Sequence, residues 1–265
     1  MWAASFDILL HSLSPLRPAG PCDRLRAKEA TGMEKKTIGI IGGMGPLATA
    51  DLFEKITLHT RAQKDQDHLR VLIDSNTNIP DRTAALLHGG EDPTPQLTAS
   101  AALLEKMGAD VLIMPCNTAH NFYDAIAAAV QIPVLHMIRL TAQALQARGI
   151  TAAGLLATDG TVQTGIYQRT FAGTGIDLLT PEGEDQQAIM DMIYRGVKAG
   201  DLHYDASAAR RAMENLLQRG AQTLILGCTE LPLAAKLYHL DYPFTDPTLE
   251  LALGAIRFAG GETTE

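Results

Sequence analysis

Apolar residues along this chain fall into short runs without polar alternation, separated by longer amphipathic segments. Four of the runs are rich in aliphatic and β-branched residues: 37–42 (TIGIIG), 71–76 (VLIDSN), 109–115 (ADVLIMP) and 133–137 (PVLHM). Such runs are typical of parallel strands that are covered on both faces. Residues 97–108 and 122–130 have helical patterns, and Pro46 stands near the start of a further helix after the first strand. The alternation predicts a doubly wound α/β unit whose functional side chains lie at the carboxyl ends of the strands.

The same order of elements starts again in the second part of the chain. Residues 151–171 (TAAGLLATDGTVQTGIYQRTF) can be laid on residues 36–56 (KTIGIIGGMGPLATADLFEKI). The glycines that match lie 115 positions apart: Gly39 with Gly154, and Gly45 with Gly160. A matched order of segments at a nearly constant spacing indicates an internal duplication.

Each copy contains an apolar run that ends on a cysteine. Cys116 follows the run 109–115, and Cys228 stands 112 positions later, after GAQTLILG. A threonine comes within two residues of each cysteine, Thr118 in the first copy and Thr229 in the second. Because the strand ends of two facing α/β units meet at one cleft, we expect the two thiols on opposite walls of a shared pocket.

The duplication predicts two pseudo-symmetric, doubly wound α/β domains with mainly parallel sheets that face each other across a central cleft. The final strand, 242–246 (YPFTD), and the helix 247–260 are expected to return to the first domain. The predicted boundaries are 33–138 together with 238–265 for the first domain, and 139–237 for the second.

Residues 1–32 differ from the rest of the chain. Their apolar stretch is short, has no positively charged residue before it and is followed by three prolines, which fits neither a secretory signal nor a regular element. We expect a disordered or wrongly assigned extension before a native start at Met33. Cys22 lies within this extension and is expected to have no catalytic role.

Composition and charge limit the classes of function. The chain has 265 residues, is 46% hydrophobic and carries a formal net charge of −8, which describes a globular protein and argues against nucleic acid or an anionic membrane as a partner. No apolar run approaches the roughly 18 residues of a membrane span. The three cysteines do not make a disulfide framework, and we expect free thiols in a reducing, cytoplasmic environment.

Two opposed thiols suit one kind of chemistry. A thiolate on one side of a carbon can remove its proton while a thiol on the other side delivers one, which inverts the stereocentre without a cofactor or a metal. A free cysteine has a pKa of about 8.5, and the backbone N–H groups at a helix start favour the thiolate. Asn117, Thr118 and Thr229 stand beside the thiols, where such side chains cap helices or hold a substrate carboxylate.

Six segments carry a resemblance to a known family. GGMGPLAT, SNTNIPDRT, PCNTAH, LLATDGTV, GVKAG and GCTEL occur in this order between Met33 and the C-terminus, and together they resemble the aspartate racemase branch of the aspartate/glutamate racemase superfamily. The resemblance implies two α/β domains, a homodimer, and interconversion of L- and D-aspartate by two cysteines without pyridoxal phosphate or any other cofactor. Glutamate racemases carry a histidine after the second Cys-Thr, where this chain has Glu230, so that branch fits less well.

The resemblance also implies roles for individual residues. Cys116 and Cys228 become the acid/base pair. The implied substrate contacts are Asn117, Thr118 and Thr229 at the α-carboxylate, Arg82 and Lys198 at a side-chain carboxylate, and Met44, Asn76 and Glu230 elsewhere in the pocket. The expected ligand is therefore a small dicarboxylic amino acid.

Other members of the superfamily remain open as alternatives. A broad-specificity amino-acid racemase or a hydantoin racemase needs no clamp for an acidic side chain. A maleate isomerase uses one cysteine as a nucleophile, so the presence of two favours two-base chemistry. A non-catalytic amino-acid-binding relative would keep the pocket without the reaction.

Two unrelated kinds of site are also open. Zinc could be held by Cys116, His120 and Cys228, but the spacing is loose and no fourth ligand is apparent. Residues 43–48 fit the G-x-G-x-x-A fingerprint of a dinucleotide site. The acidic residue that ends the second strand, Asp74, stands 31 positions beyond the first glycine of the fingerprint, where about 20 are expected.

Overall fold

The structure, a computed structural model, describes residues 35–264, whose strands form two parallel sheets. The first sheet has the order β2-β1-β3, with β1 at Ile38–Gly42, β2 at Val71–Ser75 and β3 at Val111–Ile113. The second has the order β5-β4-β6-β7, with β4 at Ala152–Leu156, β5 at Asp177–Leu179, β6 at Thr223–Leu226 and β7 at Phe244–Thr245. All neighbouring strands in both sheets are parallel, which confirms the predicted α/β class. The expected extension 1–32, with Cys22, lies outside the described residues.

Helices connect the strands and cover the sheets. In chain order they are α1 (Pro46–His59), α2 (Arg82–Leu87), α3 (Thr94–Lys106), α4 (Tyr123–Ala128), α5 (Met137–Ala147), α6 (Asp159–Gln163), α7 (Ile166–Phe171), α8 (Glu184–Asp191), α9 (Ser207–Gln218), α10 (Leu231–Leu237) and α11 (Pro247–Phe258). A π-helical turn, Met192–Val197, follows α8, and short 3-10 turns lie at Asp65–Asp67 and Thr118–Phe122. Between residues 35 and 264, no helix has the length and apolar character needed to cross a membrane.

The two sheets are built in the same way, as the duplication predicts. In each, the first strand of the copy lies in the centre, with the second strand on one side and the third on the other. A Cβ on Gly39 in β1 would lie 2.6 Å from Leu112 Cδ2, and one on Gly154 in β4 would lie 2.7 Å from Leu224 Cδ2. Both copies thus need glycine at this position because a leucine of the adjacent strand fills the space.

The helix that follows each copy packs against the other copy. We call residues 35–136 the first half and residues 152–246 the second half. The first half is followed by α5, which buries its apolar face with β4 and α7 of the second half. The second half is followed by α11, which buries its apolar face with β1, β3 and α1 of the first half. This exchange of helices joins the two halves.

The sequence prediction for the final strand is wrong. β7 joins the second sheet, where Phe244 pairs with Leu224 of β6. The duplication explains this, because Leu224 N–H donates to the Pro243 carbonyl at 2.8 Å, just as Leu112 N–H donates to the Pro133 carbonyl at 2.9 Å in the first half. The strand is therefore the fourth of its own copy, and only the helix after it, α11, returns to the first half as predicted.

The equivalent run in the first half, residues 133–137, is shorter than the predicted strand. Val134 forms a single parallel bridge with Leu112. His136 then acts as the N-cap of α5, which begins at Met137. The helix start ends the extended stretch, so the expected fourth strand of the first sheet is reduced to a bridge.

Candidate active site

The two cysteines lie where strands of the two halves end. Cys116 follows β3 in the first half, and Cys228 follows β6 in the second. A Cβ on Gly227 would lie 2.6 Å from Leu155 Cδ1, so glycine lets the segment before Cys228 pass close to β4. The cysteines are 6% and 8% exposed, and both line one cavity between the halves.

The cavity is small. Its volume of about 30 Å³ holds about one or two water molecules. Residues from both halves line it: Met44, Asp81, Arg82, Thr83, Cys116, Asn117, Thr118, Thr158, Tyr194, Lys198, Cys228, Thr229 and Glu230. This set includes all of the predicted site residues except Asn76.

Asn76 is the predicted site residue that the structure places outside the cavity. Its amide nitrogen lies 3.3 Å from Gln96 Oε1 and 3.5 Å from Ser100 Oγ, both in α3. Its backbone packs under the glycine turn after β1, where a Cβ on Gly43 would lie 2.3 Å from the Asn76 carbonyl carbon. The structure therefore does not bring the Asn76 side chain to the cavity, because the side chain faces α3 and the backbone supports the turn.

His120 holds the segment that carries Cys116. Its Nδ1 lies 2.8 Å from the Cys116 carbonyl oxygen, and its Nε2 accepts a hydrogen bond from Met137 N–H at 3.1 Å. These two contacts need a neutral imidazole with its proton on Nδ1. Burial lowers the pKa of His120 to about 4, so the neutral form persists at neutral pH. Both ring nitrogens are engaged by the backbone, which argues against the zinc site considered from the sequence.

Glu230 contacts Cys228 and Lys198 at the same time. The Cys228 thiol donates a hydrogen bond to Glu230 Oε2 at 2.9 Å. Lys198, which follows the π-helical turn, donates from Nζ to Glu230 Oε1 at 2.5 Å. Two residues predicted to contact substrate are thus paired with each other in this structure, and one of them also holds a cysteine.

Burial and neighbouring charges shift the pKa values of Cys228 and Lys198. Burial raises the pKa of the Cys228 thiol well above its usual range, and the Glu230 carboxylate raises it further, against an opposing effect of Lys198. Burial acts to lower the pKa of Lys198, but the Glu230 carboxylate outweighs it, and the net result is a raised pKa. Both groups therefore keep their protons at neutral pH.

Two donors at the cavity are buried without a partner among the described residues. They are Asn117 Nδ2 and Arg82 Nε. The Tyr167 hydroxyl donates to Asn117 Oδ1 at 2.6 Å, which leaves the NH₂ group as the free end of this side chain. Arg82 also donates from Nη1 to the Pro80 carbonyl at 2.9 Å, which anchors the guanidinium on the backbone. Because an unpaired buried donor is costly, two of them beside one cavity favour a ligand with anionic oxygens.

Thr118 joins the two halves at the cavity. Its hydroxyl lies 2.8 Å from Thr161 Oγ1 and 3.2 Å from Thr158 Oγ1. Gly160 makes this approach possible, because a Cβ there would lie 3.1 Å from Thr118 Cγ2 and 2.6 Å from Thr83 Oγ1. A substrate carboxylate at Thr118 would therefore compete with hydrogen bonds within the protein.

Four cavity-lining residues were not predicted from the sequence: Asp81, Thr83, Thr158 and Tyr194. A signal existed for Thr158, which stands 115 positions after Gly43 in the duplicated turn. No local pattern points to Tyr194, whose ring centroid lies 5.7 Å from Lys198 Nζ through the packing of the π-helical turn.

A wider cavity of about 670 Å³ adjoins the small one. Its walls are formed largely by α1 and α10, and they include Leu47, which is 68% exposed. Lys198, Thr229 and Glu230 line both cavities. The ion pair between Lys198 and Glu230 therefore stands between the two spaces.

Known proteins resemble this chain in sequence and in fold. The sequence profile of the Asp/Glu/Hydantoin racemase family matches residues 41–253. Picrophilus torridus aspartate racemase is 35% identical, with a TM-score of 0.75 over 86% of this chain and 96% of that one. A putative Asp/Glu racemase from Yersinia pestis is 29% identical, with a TM-score of 0.72 over 84% and 99%. The broad specificity amino-acid racemase RacX of Bacillus subtilis (strain 168) is 26% identical over 223 residues, which cover 83% of this chain and 96% of that protein.

Two parallel sheets around a cavity with two cysteines, together with these matches, define an α/β amino-acid racemase, an isomerase. The chain belongs to the Asp/Glu/Hydantoin racemase family. The superfamily expected from the six sequence segments is thereby confirmed.

Proposed function

We propose that this chain interconverts L- and D-aspartate by proton transfer at Cα, with Cys116 and Cys228 as the two transfer groups and without pyridoxal phosphate. The observation that carries the proposal is that both thiols line one cavity, together with cationic and amide donors. A thiolate on one wall takes the Cα proton, and the thiol on the other wall supplies a proton to the opposite face. Either hand of the amino acid is then converted into the other.

Removal of the Cα proton builds negative charge on the α-carboxylate, and the site must stabilise it. Asn117 Nδ2 is a buried, unpaired donor that lines the cavity, which suits it to this carboxylate. The burial of this donor supports the same chemistry, because a hydrogen bond to the developing charge is stronger away from bulk water.

The side-chain carboxylate of aspartate has two candidate partners. Arg82 lines the cavity with its Nε buried and unpaired, and Lys198 reaches it from the second half. Glu230 now occupies Lys198, so a substrate carboxylate would take over part of that contact. Two cations favour a dicarboxylic amino acid over one with an uncharged side chain.

A second candidate function is a racemase of broad specificity. The similarity to RacX, whose name describes such a range, supports it. Arg82 separates the two candidates, because a broad range does not need a buried cation for an acidic side chain. Comparable rates with aspartate and alanine would favour broad specificity.

The test is incubation of the purified protein with L-aspartate in D₂O, without added cofactor. We expect loss of optical rotation together with uptake of deuterium at Cα, and slower or no exchange with glutamate, alanine and asparagine. Cys116→Ser and Cys228→Ser should each abolish racemisation, whereas the matched control Cys22→Ser should retain it. Full turnover in either of the first two variants would overturn the two-cysteine assignment. Tight binding of aspartate without exchange would identify a non-catalytic relative.

The remaining expectations from the resemblance stay proposals. We propose a homodimer that works in a reducing, cytoplasmic environment, where both thiols remain free. Light scattering of the purified protein measures the mass in solution, and a monomer under assay conditions would overturn the first part.

A further inference from the structure

The carboxylate of Glu230 has a donor on each oxygen. Cys228 donates to Oε2 at 2.9 Å and Lys198 donates to Oε1 at 2.5 Å. The Glu230 side chain is only 10% exposed, so water replaces neither contact easily. Because an ionised carboxylate accepts hydrogen bonds and donates none, the proton in the contact with Cys228 belongs to the sulfur.

The first cysteine has different surroundings. At the spacing of the duplication, 112 positions, the counterpart of Glu230 is Thr118. The Thr118 hydroxyl bonds to Thr161 and Thr158, whereas the Glu230 carboxylate bonds to its cysteine. The duplicated site is therefore asymmetric, with a carboxylate directed at one thiol and a neutral hydroxyl in the equivalent place.

We propose that Glu230 is a positioning residue that keeps the proton on Cys228 before substrate binds, so that Cys116 acts as the base in the favoured form of the free enzyme. This inference rests on the proposed two-cysteine function and adds which thiol holds the proton. Glu230 acts through Cys228 and needs no contact with the substrate.

The proton balance of one turnover follows from this form. The Cys116 thiolate takes the Cα proton and becomes a thiol, and the Cys228 thiol gives its proton to the other face and becomes a thiolate. After product leaves, the new thiolate faces the Glu230 carboxylate, and this like-charge contact is only partly balanced by Lys198. The enzyme returns to the favoured form when one proton passes from Cys116 back to Cys228, through solvent or through reaction with the opposite hand of substrate.

Unequal forms of the free enzyme have a kinetic consequence. L- and D-aspartate have equal energies, so kcat/KM must be the same for both hands. When the two forms bind their own hands of aspartate with the same intrinsic affinity, the hand that reacts with the less stable form shows a higher KM and a higher kcat by the same factor. In E230Q the two forms become closer in energy, and we expect the KM ratio between the hands to move toward one.

The direct test is a pH titration of thiolate absorbance in the ultraviolet, which needs no substrate. In a protein with Cys22→Ser and Cys116→Ser, Cys228 is the remaining cysteine, and E230Q should move its titration to lower pH by about one unit or more. Glu182→Gln is the matched control, because it removes the same charge from a side chain that is 83% exposed, and it should not move the titration. An unchanged Cys228 titration in E230Q would overturn the proposal.

A second variant covers the case in which E230Q fails to fold. Glu230→Ser also removes the carboxylate, with a shorter side chain, so the Cys228 titration should again move to lower pH, and an unchanged titration would overturn the proposal. The inference and the proposed function fail separately. If the parent protein racemises aspartate but E230Q leaves the Cys228 titration unchanged, only the role of Glu230 is removed. If E230Q shifts the titration but the parent protein does not racemise aspartate, the two-cysteine function is removed.

Discussion

The Tyr167 hydroxyl donates a hydrogen bond of 2.6 Å to Asn117 Oδ1, and this bond links the two halves of the molecule beside the cavity. Tyr167 is fully buried in α7 of the second half, whereas Asn117 follows Cys116 in the first. Burial raises the pKa of Tyr167 well above its usual range, so the hydroxyl remains a donor throughout the physiological range. The bond therefore sets the direction of the Asn117 amide and presents its NH₂ group as the free end.

Tyr167→Phe should impair substrate binding more than it impairs the fold. Without the hydroxyl, Asn117 Oδ1 loses its partner and the amide is free to turn, so we expect KM for aspartate to rise about tenfold and stability to fall by about 1–3 kcal/mol. Steady-state kinetics and urea unfolding measure the two effects.

Tyr123→Phe is the matched control for this prediction. The Tyr123 hydroxyl donates to the Val134 carbonyl at 2.8 Å, outside the cavity-lining set. This variant loses a hydrogen bond of the same kind and should keep the KM of the parent protein. An equal KM in all three proteins would show that Tyr167 does not orient the amide.

Arg82→Leu should discriminate between substrates. Loss of a charge-assisted contact to a side-chain carboxylate costs about 1.5–3 kcal/mol, which corresponds to roughly 10- to 100-fold in kcat/KM for aspartate. Alanine has no such carboxylate and should lose much less.

The backbone contacts of Arg82 require a control. Its guanidinium donates to the Pro80 carbonyl and reaches the Met44 carbonyl at 3.5 Å, so part of any loss could come from a displaced loop. Arg82→Lys keeps the charge and should recover part of the aspartate activity. Equal losses with aspartate and alanine in Arg82→Leu would show that Arg82 supports the loop and not the substrate.

Much of the fold could be predicted because the chain is duplicated. Glycines and cysteines at matched positions indicate that the same packing is needed in both copies. One example is the close approach of Leu112 to Gly39 and of Leu224 to Gly154. The place of β7 follows from the same duplication, because Pro133 and Pro243 precede equivalent segments that pair with Leu112 and Leu224.

The site was harder to predict wherever it depends on contacts between distant segments. Cys116 and Cys228 stand in motifs, and their strands indicate where they lie. Tyr194 reaches the cavity through a π-helical turn, which has no sequence signature. The Glu230 contact with Lys198 joins residues 32 positions apart, and neither side chain alone predicts the other as its partner.

Gly160→Ala should disturb the junction of the halves. The added Cβ would lie 2.6 Å from Thr83 Oγ1 and 3.1 Å from Thr118 Cγ2, so α2 must move away from the second half. We expect a loss of about 1–3 kcal/mol in unfolding free energy and a fall in racemisation.

Gly45→Ala is the control for this change, because Gly45 is the counterpart of Gly160 in the first copy. A Cβ on Gly45 meets only Glu230 Oε1, at 3.7 Å, which is an ordinary contact. Its stability loss should be clearly smaller. Equal losses in the two variants would mean that general effects of alanine, and not the junction, determine the result.

Two neighbouring histidines should make the fold sensitive to acid. Burial lowers the pKa of His120 to about 4 and that of His136 to about 3. Both rings accept backbone hydrogen bonds as neutral groups, His120 from Met137 N–H and His136 from Arg139 N–H. The unfolded chain binds protons near the ordinary pKa of about 6.5, whereas the folded chain does not. Stability should therefore fall as the pH decreases from about 6.5 toward 4, by up to about 1.4 kcal/mol per pH unit for each histidine.

His136→Asn isolates one of these two contributions. Asparagine is a good N-cap, so it can accept the Arg139 N–H bond at the start of α5 without titrating. Urea unfolding between pH 4.5 and 7 should show that the unfolding free energy depends less steeply on pH than in the parent protein. The slope should decrease by up to about 1.4 kcal/mol per pH unit, which corresponds to one proton. His203→Asn removes an exposed histidine from a loop and should leave the slope as it is. If His136→Asn retains the full slope, acid sensitivity arises elsewhere, and the neutral ring of His136 is not what the start of α5 requires.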